Sequence, residues 1–382
     1  MLILILIFSF EIANLNEYFY IYTYCNMRKS EFIGLMSGTS LDGLDIVHVS
    51  FSKNQDLEDK FEILTTQSVE FPIELKSKIE AHNQLSVAQI FILDKEIGRF
   101  CGNAVNDFLR IYKINPSTIT AIASHGQTIL HQPKNGFTVQ LGCGATIAAI
   151  TGINVINDFR TRDIVEGGQG APLVPIGDFG LFQNSADSFL NIGGFANFSF
   201  KKGNTIIAYD ICPGNLPLNK LAKAKGLDFD KNGDLAKSGE INFFLLDLLN
   251  SLDFYNQEGP KSLGTEWLEE FFFPLLKFDK EIENNLRTVV EHIALQISTT
   301  LNGINCKKVF ITGGGAKNSF LIERIQHYFN GEVIVPSTVI IDFKEALIFA
   351  YLGFLYTENR INALASVTGA KKDTIGGVFH LA

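Results

Sequence analysis

The sequence predicts an α/β protein built as two similar lobes around a cleft, and three stretches carry that expectation. Phe32 to Phe51 (FIGLMSGTSLDGLDIVHVSF) reads as a β-hairpin with a long polar loop. Ser188 to Lys201 repeats the order as a strand, a tight Gly193-Gly194 turn and a return strand. Lys308 to Thr312 is a short apolar strand that runs into Gly313-Gly314-Gly315-Ala316 and then a helix.

Bulk properties agree with a folded protein of this size. At 382 residues the chain exceeds one ordinary core, so two domains are expected. A hydrophobic content of 46% with 19% charged residues is that of a globular protein rather than a disordered one. The net charge of −9 argues against nucleic-acid binding, which needs a basic face, but leaves room for an anion in a local pocket. Five scattered cysteines, with no CxxC pair, read as free thiols in a reducing compartment. The opening MLILILIFSF has no basic residue ahead of it and falls short of the roughly 20 residues that a spanning helix needs. Residues 1–26 therefore read as an upstream extension ahead of Met27, with a membrane tether as the alternative.

The first lobe is expected over 28–157. Its hairpin leaves the loop in alternation, with Asp45, Val47, Val49 and Phe51 on one face and Ile46, His48 and Ser50 on the other. Phe61 to Glu70 supplies a third strand. Pro72 to His82 and Ser86 to Tyr112 carry helical spacing. Thr118 to Ser124 is a buried strand that ends in a polar loop, Ser124-His125-Gly126-Gln127-Thr128, where α/β folds favour ligands. Gly142 to Ile150 is a helix and Ile153 to Ile156 a strand. The strand exits into Asn157-Asp158-Phe159-Arg160-Thr161-Arg162-Asp163, read as a loop whose arginines suit a ligand carboxylate or merely pair with local acids.

The second lobe is expected over 158–365, with 366–382 returning to pack on the first. After the second hairpin, Ile206 to Tyr209 continues the sheet and ends at Asp210. Pro213-Gly214-Asn215 then opens a helix. Helices follow over Ile241 to Leu252, Thr265 to Leu276 and Lys280 to Leu301. After the triple-glycine turn come a helix to Phe329, a strand from Glu332 to Pro336, and a helix from Phe343 to Tyr356 with Glu345 near its start.

The chemistry narrows by elimination. No GxxxxGK[ST] occurs, and the protein-kinase set of glycine loop, HRD and DFG is missing. The strand–GGGA–helix unit lacks GxGxxG spacing and reads instead as a turn on which a flat adenine ring can lie. The Ser37 to Gly43 loop is too long and polar for a simple hairpin turn; its glycines and hydroxyls suit phosphate oxygens. Two hairpin loops and one glycine-rich turn, in this order, match two ribonuclease-H-like lobes of the sugar kinase/Hsp70/actin type with an interlobe active-site cleft.

MSGTSLDGLD, ASHGQT, DFRTRD, GGQGAPLVP, NIGGFAN, YDICPGN, KSLG, ITGGGAKN and VTGA, in this order, resemble the anhydro-N-acetylmuramic acid kinase family from residue 32 to about 380. The resemblance implies an enzyme that uses ATP, Mg²⁺ and water to turn 1,6-anhydro-N-acetylmuramic acid into N-acetylmuramic acid 6-phosphate, in cytoplasmic recycling of cell-wall sugars. It implies that Gly38, Thr39, Ser40, Leu41, Asp42, Gly43, Leu44 and Asp45 hold the phosphates, together with Gly193 and Gly194. Gly313, Gly314 and Gly315 would hold adenosine, and Asp42 would stand on the metal side. Asp210 is implied as the base that activates water, with its use as a helix cap as the alternative. His125, Arg160, Arg162 and Glu345 are the substrate-side candidates, Arg162 first for the lactyl carboxylate. Two positions depart from the family pattern: Cys212 stands where DxGPGN has glycine, and Thr265 where relatives often carry arginine. The expected partner is a small amino sugar, with no nucleic acid or membrane, and a homodimer is the candidate assembly. The competing readings are an ATP-binding module of the actin or Hsp70 type without sugar chemistry, and a kinase for another amino sugar.

Overall fold

The computed structural model describes residues 29–38, 41, 43–53 and 59–382. The upstream-extension reading of 1–26 lies outside the described residues, as do Thr39, Ser40 and Asp42.

Two sheets of one topology form the frame. In the first, β1 (Lys29–Ser37), β2 (Leu44–Ser52) and β3 (Lys60–Val69) are an antiparallel meander. Two further strands add in parallel on the far side of β1, first β4 (Ile119–Ser124) and then β7 (Val155–Asn157). In the second sheet, β8 (Ser188–Ile192), β9 (Phe195–Lys202) and β10 (Thr205–Pro213) repeat the meander. There β11 (Lys308–Thr312) and β12 (Glu332–Ile334) add in parallel beyond β8. The orders 3-2-1-4-7 and 10-9-8-11-12 are thus the same pattern. The C-terminal β13 (Val378–His380) returns to pair antiparallel with β7.

Both faces of each sheet are covered, which is why β2 is buried at nearly every position despite its alternation. Its Ile46 joins an outer core with Ile33, Leu35 and Ile122, while Val47, Val49 and Phe51 join a central core. Helix Val87–Tyr112 closes the outer face. A Ser86–Gln89 capping box starts it, and Leu93, Ile97, Cys101, Val105 and Phe108 fall on one stripe at helical spacing. The second sheet has its counterpart in helix Ile282–Gly303, which buries Leu286, Val289, Val290, Ile293 and Ile297.

The central core is shared by the two sheets. Helix Thr338–Thr357 lies in it and packs on β1, β2 and β4 of the first lobe. Its Leu347, Phe349, Leu352 and Phe354 join Phe32 and Phe51 from one sheet and Phe189 and Phe310 from the other. Each such large apolar side chain contributes about 1.5–3 kcal/mol when fully buried. The helix approaches β1 closely only because residue 34 is glycine; a methyl there would collide with the Ala346 carbonyl.

Four local expectations are corrected. Gln127 and Thr128 are not loop but the start of β5 (Gln127–Gln132), which pairs with β6 (Phe137–Leu141) in a separate hairpin. The second half of DFRTRD is helical, over Thr161–Val165. β10 does not end at Asp210 but continues through a bulge to Pro213. The expected helix from Thr265 to Leu276 is three turns of changing pitch (Thr265–Trp267, Leu268–Phe272 and Phe273–Phe278), with Pro274 offering no N–H to continue a regular ladder.

Candidate active site

Two cavities open beside the second sheet. The larger, about 560 Å³, is lined by Asn191, Asn197 and Asp210, by Lys261 and Ser262, and by Asp178, Lys344 and Glu345. The register explains the first three. Asn191 pairs with Asn197 and Asn197 with Asp210, so one row across β8, β9 and β10 faces the cavity.

Asp210 is held from a segment distant in sequence. Its backbone N–H donates to the Lys261 carbonyl at 3.0 Å. The Leu263 N–H donates to Asp210 Oδ2 at 2.8 Å. Burial raises the Asp210 pKa, and the Leu263 N–H opposes that rise. The carboxylate is no helix cap, because helix Asn215–Lys223 begins after Gly214 and takes no side-chain cap. Lys261 itself is fixed by donating to the carbonyls of Phe254 at 2.8 Å and Gln257 at 3.0 Å.

The smaller cavity, about 510 Å³, lies over the triple-glycine turn and is lined by Gly314, Asn215, Asn219, Phe229, Lys231 and Lys317, among others. Gly314 faces this space while its neighbours pack behind it. Gly313 has φ +81° and ψ 172°, a backbone region essentially reserved for glycine. A methyl there would stand 2.7 Å from both Asn191 Oδ1 and the Ile192 carbonyl. The Gly193-Gly194 turn is tied to the same place. Asn215 N–H donates to the Gly193 carbonyl, Gly214 N–H to that of Gly194, and the Asn215 amide to that of Ile192. The strand end, both glycine turns and a helix start therefore form one unit.

Of the phosphate-loop candidates, Gly38, Leu41 and Gly43 are described in the β1–β2 loop, and Leu44 and Asp45 are the first residues of β2. Leu41 is left-handed at φ 57° and donates to the Gly38 carbonyl at 3.2 Å, curling the loop back on itself. Ser37 donates to Gln127, joining the loop base to β5. Asp45, at the start of β2, accepts from the Ser68 hydroxyl on β3.

The four substrate-side candidates separate. Arg160 is turned into the protein but, like His125, does not line the larger cavity: its guanidinium donates to His125 Nε2 at 2.9 and 3.2 Å and to the Gly170 carbonyl at 2.7 Å. Burial lowers its pKa to about 10, with the Glu345 carboxylate opposing. His125 accepts from Arg160 and is therefore neutral, with its proton on Nδ1. Burial first and the Arg160 charge second bring its pKa down to about 3. Arg162 is on the exposed side of the short helix, 3.4 Å from Glu166, and does not line the larger cavity. Glu345 opens onto that cavity and stays accessible to water within it. The surrounding walls raise its pKa, Lys344 and then Arg160 pull it back, and Asp45 and Asp178 reinforce the rise.

Sequence reasoning missed the Lys344–Asp178 ion pair, 3.0 Å long and nearly fully buried in the cavity wall. Asp178 follows the APLVP segment with no motif to mark it. Sequence reasoning also missed Phe229 and Lys231, which lie in a polar connection that shows no periodicity. Asp163, an ion-pairing candidate in sequence, is fully buried and structural. It accepts from the Gly170 N–H at 2.8 Å and the Thr368 hydroxyl at 2.6 Å, clasping GGQG to VTGA. Of the two departures, Cys212 is buried in the second lobe's core beside the β10 bulge, and Thr265 is exposed. Among the described residues no group of three or more His, Cys, Asp or Glu is arranged to hold a metal, and no helix is long and apolar enough to cross a membrane.

Two lobes of repeated topology, each an antiparallel meander extended by parallel strands, with the second lobe's hairpin turn and glycine turn joined in one unit, have the fold of the sugar kinase/Hsp70/actin class. The chain belongs to the anhydro-N-acetylmuramic acid kinase family, which it matches over residues 30–382. It is 38% identical to the anhydro-N-acetylmuramic acid kinase of Sulfurovum sp. (strain NBC37-1), covering 92% of this chain and 100% of the relative. Identity to the Haemophilus influenzae protein of that name is 36%, covering 93% and 99%. The solved structures it resembles are more distant. An activator of 2-hydroxyisocaproyl-CoA dehydratase from Clostridium difficile aligns with a TM-score of 0.43 at 15% identity, over 86% of this chain and 96% of that one. Membership makes the chain an ATP-binding kinase, and the ATP-binding module without sugar chemistry is not favoured.

Proposed function

We propose that the protein opens 1,6-anhydro-N-acetylmuramic acid with water and phosphorylates the released O6 from ATP, giving N-acetylmuramic acid 6-phosphate and ADP, with Asp210 as the base. The observation that carries this reading is the Asp210 carboxylate in the cavity wall, fixed by the 2.8 Å hydrogen bond from the Leu263 N–H. Water is a weak nucleophile, and a positioned base contributes about 10²–10⁴-fold to such a step. The water oxygen bonds to C1, its proton passes to Asp210, and the C1–O6 bond breaks. O6 takes that electron pair and bonds to the γ-phosphorus, while the bond to the ADP oxygen breaks.

The lobes divide this work in the proposal. The first (28–157, joined by 366–382) brings the phosphate loop, Gly38 to Asp45. The second (158–365) brings the base, the Gly193-Gly194 turn and an adenosine site over Gly313 to Gly315. Glu345 stands on the substrate side of the larger cavity, and Arg160, paired with His125, is near enough for its charge to act on Glu345. Arg162 meets the lactyl carboxylate by leaving Glu166, a surface pair that holds it weakly.

Mg²⁺ would be carried on the nucleotide, with Asp42, the metal-side candidate of the sequence, as its protein carboxylate and water completing the shell. Bound there, the ion would neutralise charge on the phosphates. The cytoplasm, where ATP is at hand, is the compartment this function implies.

The test is turnover of the anhydro sugar with Mg-ATP in ¹⁸O-water. Mass spectrometry is expected to find a 6-phosphate with ¹⁸O at C1. Phosphorylation without label would remove water attack at C1, and no product would remove the sugar assignment.

A further inference from the structure

Helix Thr338–Thr357 is apolar along the face it buries, apart from Lys344, which is 4% exposed. The Lys344 ammonium stands 3.0 Å from Asp178 Oδ1 on helix Val174–Leu181, and Asp178 is itself 3% exposed. The second Asp178 oxygen lies 3.5 Å from the Ser199 hydroxyl on β9. A buried ion pair adds little to stability, since loss of hydration offsets the attraction and an apolar pair of similar volume does as well or better. The next residues on the buried face, Ala346, Leu347 and Ile348, are that apolar solution. What distinguishes Lys344 is its place, in the wall of the larger cavity and one residue before Glu345.

We propose that Lys344 and Asp178 form a charge-setting pair for Glu345, in which Lys344 favours the Glu345 carboxylate on the cavity wall and Asp178 limits that pull. This rests on the substrate-side reading of Glu345. Lys344, Asp178 and Glu345 line the same cavity, and the charges that act on Glu345 are those of Lys344 on its own helix, Arg160 ahead of helix Thr161–Val165, Asp45 on β2 and Asp178 on helix Val174–Leu181. Two cations thus oppose two carboxylates, and removing one member moves Glu345 in the direction set by the charge lost. Lys344 acts through Glu345 and is a positioning residue.

The opposite signs make the test. The full chain is prepared with ¹³C-carboxyl glutamate, and the Glu345 resonance is identified as the one missing from Glu345→Gln. Titration is expected to place the Glu345 midpoint about one pH unit or more higher in Lys344→Met, and lower than wild type in Asp178→Asn. Lys344→Arg is expected to restore the wild-type midpoint, which simple loss of packing would not predict. A midpoint unmoved by both variants, or moved the same way by both, overturns the proposal. If Lys344→Met does not fold, Lys344→Gln makes the same comparison. Undiminished turnover by Glu345→Gln would overturn the substrate-side reading by itself, whatever the titration gives.

Discussion

The first lobe's row Met36, Asp45 and Ser68 and the second lobe's row Asn191, Asn197 and Asp210 occupy the same place in two sheets of one topology. Each row has one carboxylate. In the first lobe it is on the middle strand and takes a hydroxyl from its cross-strand neighbour, Ser68. In the second lobe it is on the outer strand, beside a bulge, and takes an N–H from the Leu263 segment. The hairpin loops differ in the same sense: residues 38–43 separate β1 from β2, whereas Gly193-Gly194 alone separates β8 from β9. One duplicated frame therefore serves a long loop in one lobe and a positioned carboxylate in the other. The difference lies in which strand carries the acid and what reaches over to hold it.

The sharpest way to break this comparison is Asp210→Asn. We expect turnover to fall by about 10²–10⁴-fold with ATP binding retained, measured by product formation and nucleotide titration. The same variant has a stability signature. Burial raises the Asp210 pKa in the folded chain, so the folded state binds that proton more tightly than the unfolded chain does. The carboxylate consequently opposes folding above its folded pKa, and that penalty vanishes as the pH falls below the ordinary aspartate value. Asp210→Asn should melt at an equal or higher temperature than wild type at neutral pH, with the gap closing in acid. A lower melting temperature at neutral pH would show that the Leu263 hydrogen bond outweighs burial.

Gly313→Ala tests whether the second lobe's turn depends on glycine in the way its backbone indicates. The cost of a side chain at this φ and ψ is of order 1–3 kcal/mol, and the approach to Asn191 and Ile192 adds to it. We expect a raised ATP KM and a lowered melting temperature. The smallest effect belongs to the first lobe. Ser68→Ala removes one hydrogen bond to Asp45 and should cost about 1 kcal/mol of stability in denaturant unfolding. A loss of turnover there as large as that of Asp210→Asn would erase the functional asymmetry between the two rows.

Much of the frame is legible along the chain because it rests on local chemistry. Alternation in Ile46 to Phe51, the glycine turns at Gly193 and Gly313, and the helical stripe from Leu93 to Phe108 each show in a few neighbouring residues. The β5–β6 hairpin did not show, since its strands pack on little and alternate weakly. Arg160 and Arg162 look equivalent in DFRTRD. The start of a helix at Thr161 sends one inward to His125 and the other out to Glu166.

By itself, the sequence determined most of the order of the elements, the first hairpin of each lobe, the glycine turns at Gly193 and Gly313 and the carboxylate at residue 210, because propensity, periodicity and motif spacing are properties of neighbours. Tertiary structure alone decided that Leu263 holds Asp210, that the apolar helix from Thr338 serves both sheets, and that Lys344 meets Asp178 rather than water. Those contacts join residues far apart in the chain, and no local pattern encodes which charge a buried lysine will find.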